Sequence, residues 1–148
     1  MKRILLSAIT LLLISSVYAQ ILTPVKWSYA AKKTGKTEAT VYFKASIDPD
    51  WHIYSLNVGD GGPIKTSFTF PASKQYTLAG KVMEPTPIKK FEKAFNMNVT
   101  YFENSVIFQQ KIKLKAAQAI VKGKLEYMTC NDQKCLPPEE VEFSIPVK

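Results

Sequence analysis

The chain has 148 residues, with 20 lysines and arginines against 12 aspartates and glutamates, a formal net charge of +8, and two cysteines. Arg3 is its single arginine. Arginine is the residue that reads phosphates and bases with a planar fork, so this composition argues against a nucleic-acid-binding function despite the positive charge. We expect the lysines to solvate a β surface and to discourage edge-to-edge pairing.

The N-terminus has the layout of a secretory signal peptide. Lys2 and Arg3 form a basic start, residues 4–14 are almost entirely apolar, and small residues occupy the −3 and −1 positions of a cleavage site that ends at Ala19. The apolar stretch is too short for a membrane span, and a retained N-terminal anchor is the alternative. We therefore expect export and one mature domain, residues 20–148, with a charge lowered by two, from +8 to +6.

Alternation of apolar and polar residues predicts a series of half-buried β-strands. In chain order the candidates are residues 25–30, 38–47, 51–56, 66–70, 76–82, 99–102, 106–114, 121–127 and 140–147. Turn-forming stretches such as "DPD", "GDGGP" and "EPTP" separate them. This pattern predicts an all-β fold, an immunoglobulin-like antiparallel β-sandwich of about eight or nine strands.

One segment has a helical rather than a strand period. In "IKKFEKAF", residues 88–95, the apolar side chains of Ile88, Phe91 and Phe95 fall roughly on one face of a helix of barely two turns. We expect a short helix in the connection before residue 99.

The two cysteines, Cys130 and Cys135, lie in the stretch "TCNDQKCLPP". Four intervening residues suit a hairpin loop that places the two side chains opposite each other, within reach of a disulfide. A loop this short gives a bridge worth about 2 kcal/mol on the loop-entropy model, against about 4.7 kcal/mol for a 100-residue loop. The bridge is therefore expected to contribute little to the stability of the fold.

The strand pattern predicts which way the first cysteine points. Cys130 shares parity with Lys122 and Lys124, so we expect it to point away from the core and to lie near solvent. Pro137 and Pro138 stiffen the following backbone. An accessible pair on a rigid loop favours thiol–disulfide exchange. A structural bridge and a metal site remain alternatives.

The metal alternative lacks ligands. A closed zinc site takes four protein ligands, and the two cysteines with His52, the single histidine of the chain, supply three.

These residues resemble a known family. "CNDQKCLPP", "DPDWHIYS" followed by "GDGGPIKTSF", and "EPTPIKKFEKAFNMNVTYFE" are similar to the active-site hairpin, an upstream strand with its loop, and a connecting segment of the N-terminal periplasmic domain of the thiol–disulfide interchange protein DsbD. The resemblance covers nearly all of the chain after the signal peptide. It implies an immunoglobulin-like sandwich that passes electrons from a thioredoxin-like or membrane-embedded reductase to oxidised periplasmic partner proteins.

The resemblance also implies roles for individual residues. Cys135 would form the mixed disulfide with a partner, and Cys130 would resolve it. An aromatic residue in a segment that caps the pair, residues 90–98, would be Phe95 or, as the alternative, Phe91.

Two family tyrosines near the pair would correspond to His52 and Tyr54. The cysteine spacing is one residue shorter than in the best-known members, and His52 stands where that family has a tyrosine. A neutral imidazole there could favour a thiolate, although a partly packed strand residue is the plainer interpretation. Asp132 and Lys134, between the cysteines, could tune them in opposite directions, or be solvated turn residues.

The predicted function is therefore a protein-disulfide reductase that needs no cofactor, because the two sulfurs hold the electrons. The main alternative is a non-enzymatic exported module that binds a partner or glycan through aromatic loops and contains a structural disulfide. A third is a subunit that docks onto a membrane reductase without exchange activity.

Overall fold

In a computed structural model of the protein, residues 22–93 and 95–148 are described. The predicted signal peptide and the cleavage site at Ala19 lie outside this part. The strands are β1 Val25–Lys33, β2 Glu38–Ile47, β3 His52–Tyr54, β4 Ser67–Thr69, β5 Tyr76–Leu78, β6 Ile88–Glu92, β7 Met97–Glu103, β8 Ser105–Leu114, β9 Ala119–Tyr127, β10 Thr129–Cys130 and β11 Glu139–Val147. Among the described residues there is no helix, and hence none that could cross a membrane.

The all-β prediction is confirmed, and each of the nine predicted strands overlaps an observed one. The described chain has two strands more, β6 and β10. The predicted short helix is wrong, because its residues form β6, which pairs antiparallel with β7 from Ile88 opposite Tyr101 to Glu92 opposite Met97. The apolar side chains that suggested a helical face are not buried there, since Ile88 is 46% and Phe91 52% exposed.

The strands form three antiparallel sheets. The first has the order β1-β2-β8-β5, the second β10-β3-β7-β6 and the third β11-β9-β4. The long strands pair over nine residues, as β1 does with β2 and β9 with β11. The second sheet contains the shortest strand, β10, and it carries the cysteine pair at this edge.

The main core lies between the sheets and is built from aromatic and branched side chains. Phe43 on β2 is fully buried and its ring centroid lies 4.8 Å from those of Phe68 on β4 and Phe143 on β11. Ile53 and Phe102 bring one face of the second sheet into the same core. Burying a side chain of this size contributes about 1.5–3 kcal/mol, so this core supplies most of the driving force for folding.

Gly123 on β9 is required by close packing rather than by a turn. A Cβ atom at this position would collide with the carbonyl oxygen of Thr69 on β4 and with the ring of Phe143. Phe143 is paired opposite Gly123 and fills the space that a side chain would take. The packing of the third sheet therefore requires a residue without a side chain at position 123.

A second, smaller cluster covers the opposite face of the second sheet. Tyr54, Val99, Tyr101 and Cys130 are its buried members, and Met97 is among the partly buried side chains packed around them. Because side chains alternate along a strand, Ile53 points into the main core while Tyr54 points into this cluster. The cysteine hairpin therefore rests on a face that is separate from the main core.

Candidate functional site: the cysteine hairpin and its pocket

The two cysteines form a disulfide across a tight hairpin, as the spacing predicts. Cys130 and Cys135 are joined by a bond of 2.03 Å, with their Cα atoms 4.0 Å apart. The amide of Leu136 donates to the Thr129 carbonyl at 2.9 Å on one side, and the amide of Asn131 donates to the Lys134 carbonyl at 2.9 Å on the other. The cysteines therefore occupy a non-hydrogen-bonded pair position, where facing side chains lie closest.

A side-chain turn closes the loop between the cysteines. The Asn131 Oδ1 atom accepts hydrogen bonds from the amides of Gln133 at 2.9 Å and Lys134 at 2.8 Å. This arrangement is the Asx turn, in which a side chain replaces the carbonyl of a backbone turn. The loop thus has hydrogen bonds of its own in addition to the disulfide.

The two sulfur-bearing residues differ in their access to solvent. Cys130 is 2% exposed, whereas Cys135 is exposed. The predicted direction of Cys130, away from the main core, is confirmed, but the predicted exposure to solvent is wrong. The face to which it points is itself covered, because Tyr54 and Tyr101 pack against it to form the second cluster.

His52 and Tyr54 on β3 form the floor of the site. His52 is paired directly opposite Cys130, and its carbonyl accepts a hydrogen bond from the Thr129 hydroxyl at 2.9 Å. The His52 Nε2 atom lies 3.3 Å from the Tyr54 hydroxyl, and its ring centroid lies 4.9 Å from that of Tyr101. Both residues named from the sequence are thus at the cysteine pair.

Burial controls the protonation of this floor. It lowers the pKa of His52 below the ordinary 6.5, against the smaller opposing effect of the carboxylates Glu92 and Glu103. It also raises the pKa of Tyr54 to about 12, with a further contribution from Glu92. At neutral pH the site therefore holds an uncharged imidazole beside an uncharged phenol.

The turn between β6 and β7 brings Phe95 to the cysteines. The amide of Phe95 donates to the Glu92 carbonyl and that of Asn96 to the Lys93 carbonyl, both at 3.3 Å. Asn96 has a φ of 52°, a left-handed conformation that asparagine tolerates. Phe95 lines a pocket of about 200 Å³ together with both cysteines, His52 and Tyr54.

The other aromatic candidate lies elsewhere. Phe91, on β6, is 52% exposed and is not among the residues that line this pocket. The geometry therefore brings Phe95, and not Phe91, to the cysteine pair.

Charged residues complete the rim, and of these the sequence singled out Asp132 alone. Glu92 lines the pocket, and the Lys90 Nζ atom lies 3.8 Å from an Asp132 carboxylate oxygen, which links β6 to the cysteine loop. Both partners of that ion pair are exposed. Glu103 is paired opposite His52 on β7. Lys90, Glu92 and Glu103 lie far from the cysteines in sequence, so only the strand pairing brings them to the site.

The hairpin of β6 and β7 is anchored at its base. The Glu84 carboxylate accepts hydrogen bonds from the Ser55 hydroxyl at 2.6 Å, the Leu56 amide at 2.8 Å and the Asn57 side-chain amide at 3.2 Å. Glu84 precedes β6, and Ser55 directly follows β3. This bonding ties the segment that carries Phe95 to the strand that carries His52 and Tyr54.

Within residues 22–93 and 95–148, no group of three or more histidine, cysteine, aspartate or glutamate side chains is arranged to hold a metal ion.

Comparison with known proteins assigns the family. The family model described as thiol:disulfide interchange protein DsbD, N-terminal, matches residues 19–146. The chain belongs to the DsbD N-terminal domain family. The family resemblance read from the cysteine hairpin is thereby confirmed. No curated protein matches the sequence.

Solved structures of low sequence identity share the fold. The N-terminal periplasmic domain of ScsB from Proteus mirabilis is 15% identical with a TM-score of 0.59; the match covers 85% of this chain but 47% of that one, so the chain spans about half of it. The DsbD N-terminal domain from Neisseria meningitidis in its reduced form is 18% identical, with a TM-score of 0.53 and coverages of 84% and 89%.

A third solved structure contains a partner. It is the complex between the DsbD N-terminal and the PilB N-terminal domains from Neisseria meningitidis, 16% identical, with a TM-score of 0.53 and coverages of 84% and 87%. Together these likenesses bear out the immunoglobulin-like β-sandwich of this family.

Proposed function

We propose that this protein is an exported protein-disulfide reductase, which carries electrons by thiol–disulfide exchange through Cys135 and Cys130. One observation carries the proposal: a disulfide with one exposed and one buried cysteine lies on a self-supporting hairpin at a pocket. A bridge that closes so short a loop contributes about 2 kcal/mol, so stability alone is a weak reason for it. Membership of the DsbD N-terminal family supports the same chemistry.

The difference in exposure suggests the order of events. In the reduced protein the Cys135 thiolate attacks one sulfur of a partner disulfide, and the other partner sulfur leaves and takes up a proton. Cys130 then attacks the Cys135 sulfur. The bond between Cys130 and Cys135 forms as the bond to the partner breaks, and the second partner thiol is released. Two electrons and two protons pass to the partner, and a donor thiol pair later restores them.

The proposed donor is a thioredoxin-like or membrane-embedded reductase, and the proposed acceptors are disulfide-bearing proteins of the periplasm. The complex of the Neisseria DsbD domain with a PilB domain supports docking of another protein on this fold. The basic start, the apolar stretch and the cleavage site at Ala19 support export, and the ScsB relative is a periplasmic domain.

Phe95 is proposed as the cap of the pair because it lines the pocket with both sulfurs. Phe95→Ala should therefore speed reduction of the disulfide by dithiothreitol several-fold. Phe91→Ala is the matched control, since that ring is exposed and outside the pocket, and it should react at the wild-type rate. Equal rates for Phe95→Ala and wild type would remove the cap from the proposal.

The deciding experiment is the reduction potential of the pair, measured in residues 20–148 against glutathione buffers. A value of about −200 to −270 mV places the pair among exchange-active proteins, whereas a value below about −300 mV is typical of structural bridges. Cys130→Ala should then trap partner proteins through Cys135, and Cys135→Ala should trap none. A low potential without trapping would reject exchange and favour the non-enzymatic binding module.

A further inference from the structure

Cys130 has an unusual cross-strand neighbour for a resolving thiol. His52 is paired directly opposite it, and residues paired in this way share one face of the sheet with Cβ atoms about 4.5–5.5 Å apart. Both residues line the 200 Å³ pocket. The backbones are held together there by the hydrogen bond from the Thr129 hydroxyl to the His52 carbonyl.

Because Cys130 is buried, its thiol needs a nearby group that can accept its proton. The thiolate, and not the thiol, attacks a disulfide, and a buried site disfavours the charged thiolate. Cys130 is 2% exposed, packed against Tyr54, Val99 and Tyr101, so water has little access to remove its proton. Cys135, which is exposed, can lose its proton directly to solvent.

The surroundings of the imidazole suit proton acceptance. The titratable groups that line its pockets or contact its ring are Asp50 just before its strand, Tyr54 on it, Tyr101 and Glu103 on β7, Lys90 and Glu92 on β6, and Asp132 and Lys134 in the cysteine loop. The carboxylates Glu92, Glu103 and Asp132 stabilise an imidazolium once it forms. The Tyr54 hydroxyl, 3.3 Å from Nε2, can donate to the neutral ring and accept from the protonated one.

We propose that His52, with the Tyr54 hydroxyl as its hydrogen-bond partner, accepts the proton of the Cys130 thiol in the resolving step. This inference rests on the proposed function and adds a proton acceptor to it. As the proton leaves, Cys130 attacks the Cys135 sulfur; the bond from Cys135 to the partner breaks, and the leaving partner thiolate takes up the proton from the imidazolium. No oxidant or reductant beyond the two thiol pairs is needed.

The test separates the two cysteine steps with an artificial disulfide. Reduced protein, mixed with a stoichiometric amount of 5,5′-dithiobis(2-nitrobenzoate), releases nitrothiobenzoate twice. The first release, by attack of Cys135, accelerates with reagent concentration. The second, by attack of Cys130 on the mixed disulfide, does not. Because the reagent replaces any natural partner, the assay reports on His52 even if the exchange function is rejected by the reduction potential.

His52→Gln and His52→Phe should slow the second release at least about tenfold at neutral pH, a modest share of what general base catalysis supplies. The first release should stay within about twofold of wild type. Lys122→Gln, on the exposed face of β9, is the control and should match wild type in both phases. Unfolding by urea and complete formation of the disulfide check that each variant folds, and two variants guard against the failure of one.

The pH profile distinguishes proton acceptance from packing. In the wild type the second release should slow as the pH falls and the imidazole becomes protonated, with an inflection below the ordinary His value of 6.5. In His52→Phe, which keeps an aromatic ring in place, that inflection should be lost. Two phases slowed together, neither phase slowed, or a slower second phase with the wild-type inflection would each overturn the proposal.

Discussion

The main core and the small cluster beneath the cysteine hairpin lie on opposite faces of the same second sheet, and they differ in chemistry. The face with Ile53 and Phe102 contributes apolar side chains to a large interior. The face with Tyr54, Tyr101 and Cys130 has a phenol, an imidazole and a sulfur within reach of one another. The second sheet thus contributes to the main core with one face and holds the candidate site on the other.

If the main core is the source of stability, Phe43→Ala should have the largest effect. The side chain is fully buried between Phe68 and Phe143, and its loss leaves a cavity that costs about 3–5 kcal/mol. Urea unfolding followed by tryptophan fluorescence measures this cost. A cost near 1 kcal/mol would mean that the aromatic stack is not the main source of stability.

Replacing both cysteines with alanine should lower the stability less than Phe43→Ala does, and it should abolish disulfide exchange. The loop closed by the disulfide is short, so the free energy of unfolding should fall by about 2 kcal/mol, while disulfide exchange disappears. Urea unfolding of the double variant against the oxidised wild type gives the first number. A loss as large as that of Phe43→Ala would place the hairpin among the structural elements instead.

The buried phenol of the small cluster should make the protein sensitive to alkali. The folded state raises the pKa of Tyr54 from 10.0 to about 12, so the unfolded chain releases this proton first and stability is lost as the pH rises from 10 towards 12. At about pH 11 the loss from this group is about 1.4 kcal/mol. Tyr54→Phe lacks this phenol, so between about pH 9 and about pH 11 its free energy of unfolding should fall by about 1.4 kcal/mol less than that of the wild type. Urea unfolding at the two pH values measures the difference.

Removing the ion pair between β6 and the cysteine loop should have the smallest effect. Lys90 and Asp132 lie 3.8 Å apart with side chains 55% and 93% exposed. Asp132→Asn should change the free energy of unfolding by less than about 0.5 kcal/mol, and the change should shrink in high salt. A salt-independent cost above 1 kcal/mol would show that this contact holds the segment in place.

How much of the fold and of the candidate site could be predicted from the sequence depends on how far apart the interacting residues lie along the chain. The long strands and the cysteine hairpin follow from local alternation and loop length, and both were predicted. The parity of Cys130 also gave its face correctly. The family resemblance, and not the local pattern, placed Tyr54 near the pair. Tyr101 was not predictable, because it reaches that face through pairing of distant strands.

The structure of the β6 segment was predicted wrongly from its local sequence. Its local period favoured a helix, but hydrogen bonds to β7 along Ile88–Glu92 outweigh a weak local preference. The carboxylates Glu92 and Glu103 were missed for the same reason, since nothing in their local sequence marks them.

The hydrogen bonds on either side of the disulfide have a consequence for how the molecule is reused. They join Thr129 to Leu136 and Asn131 to Lys134, and neither passes through a sulfur atom. Under the proposed function, the hairpin backbone can therefore keep its shape when the disulfide is reduced. A docking protein that recognised only that backbone shape would bind the two states alike. The direction of electron flow would then be set by the difference in potential between the two thiol pairs.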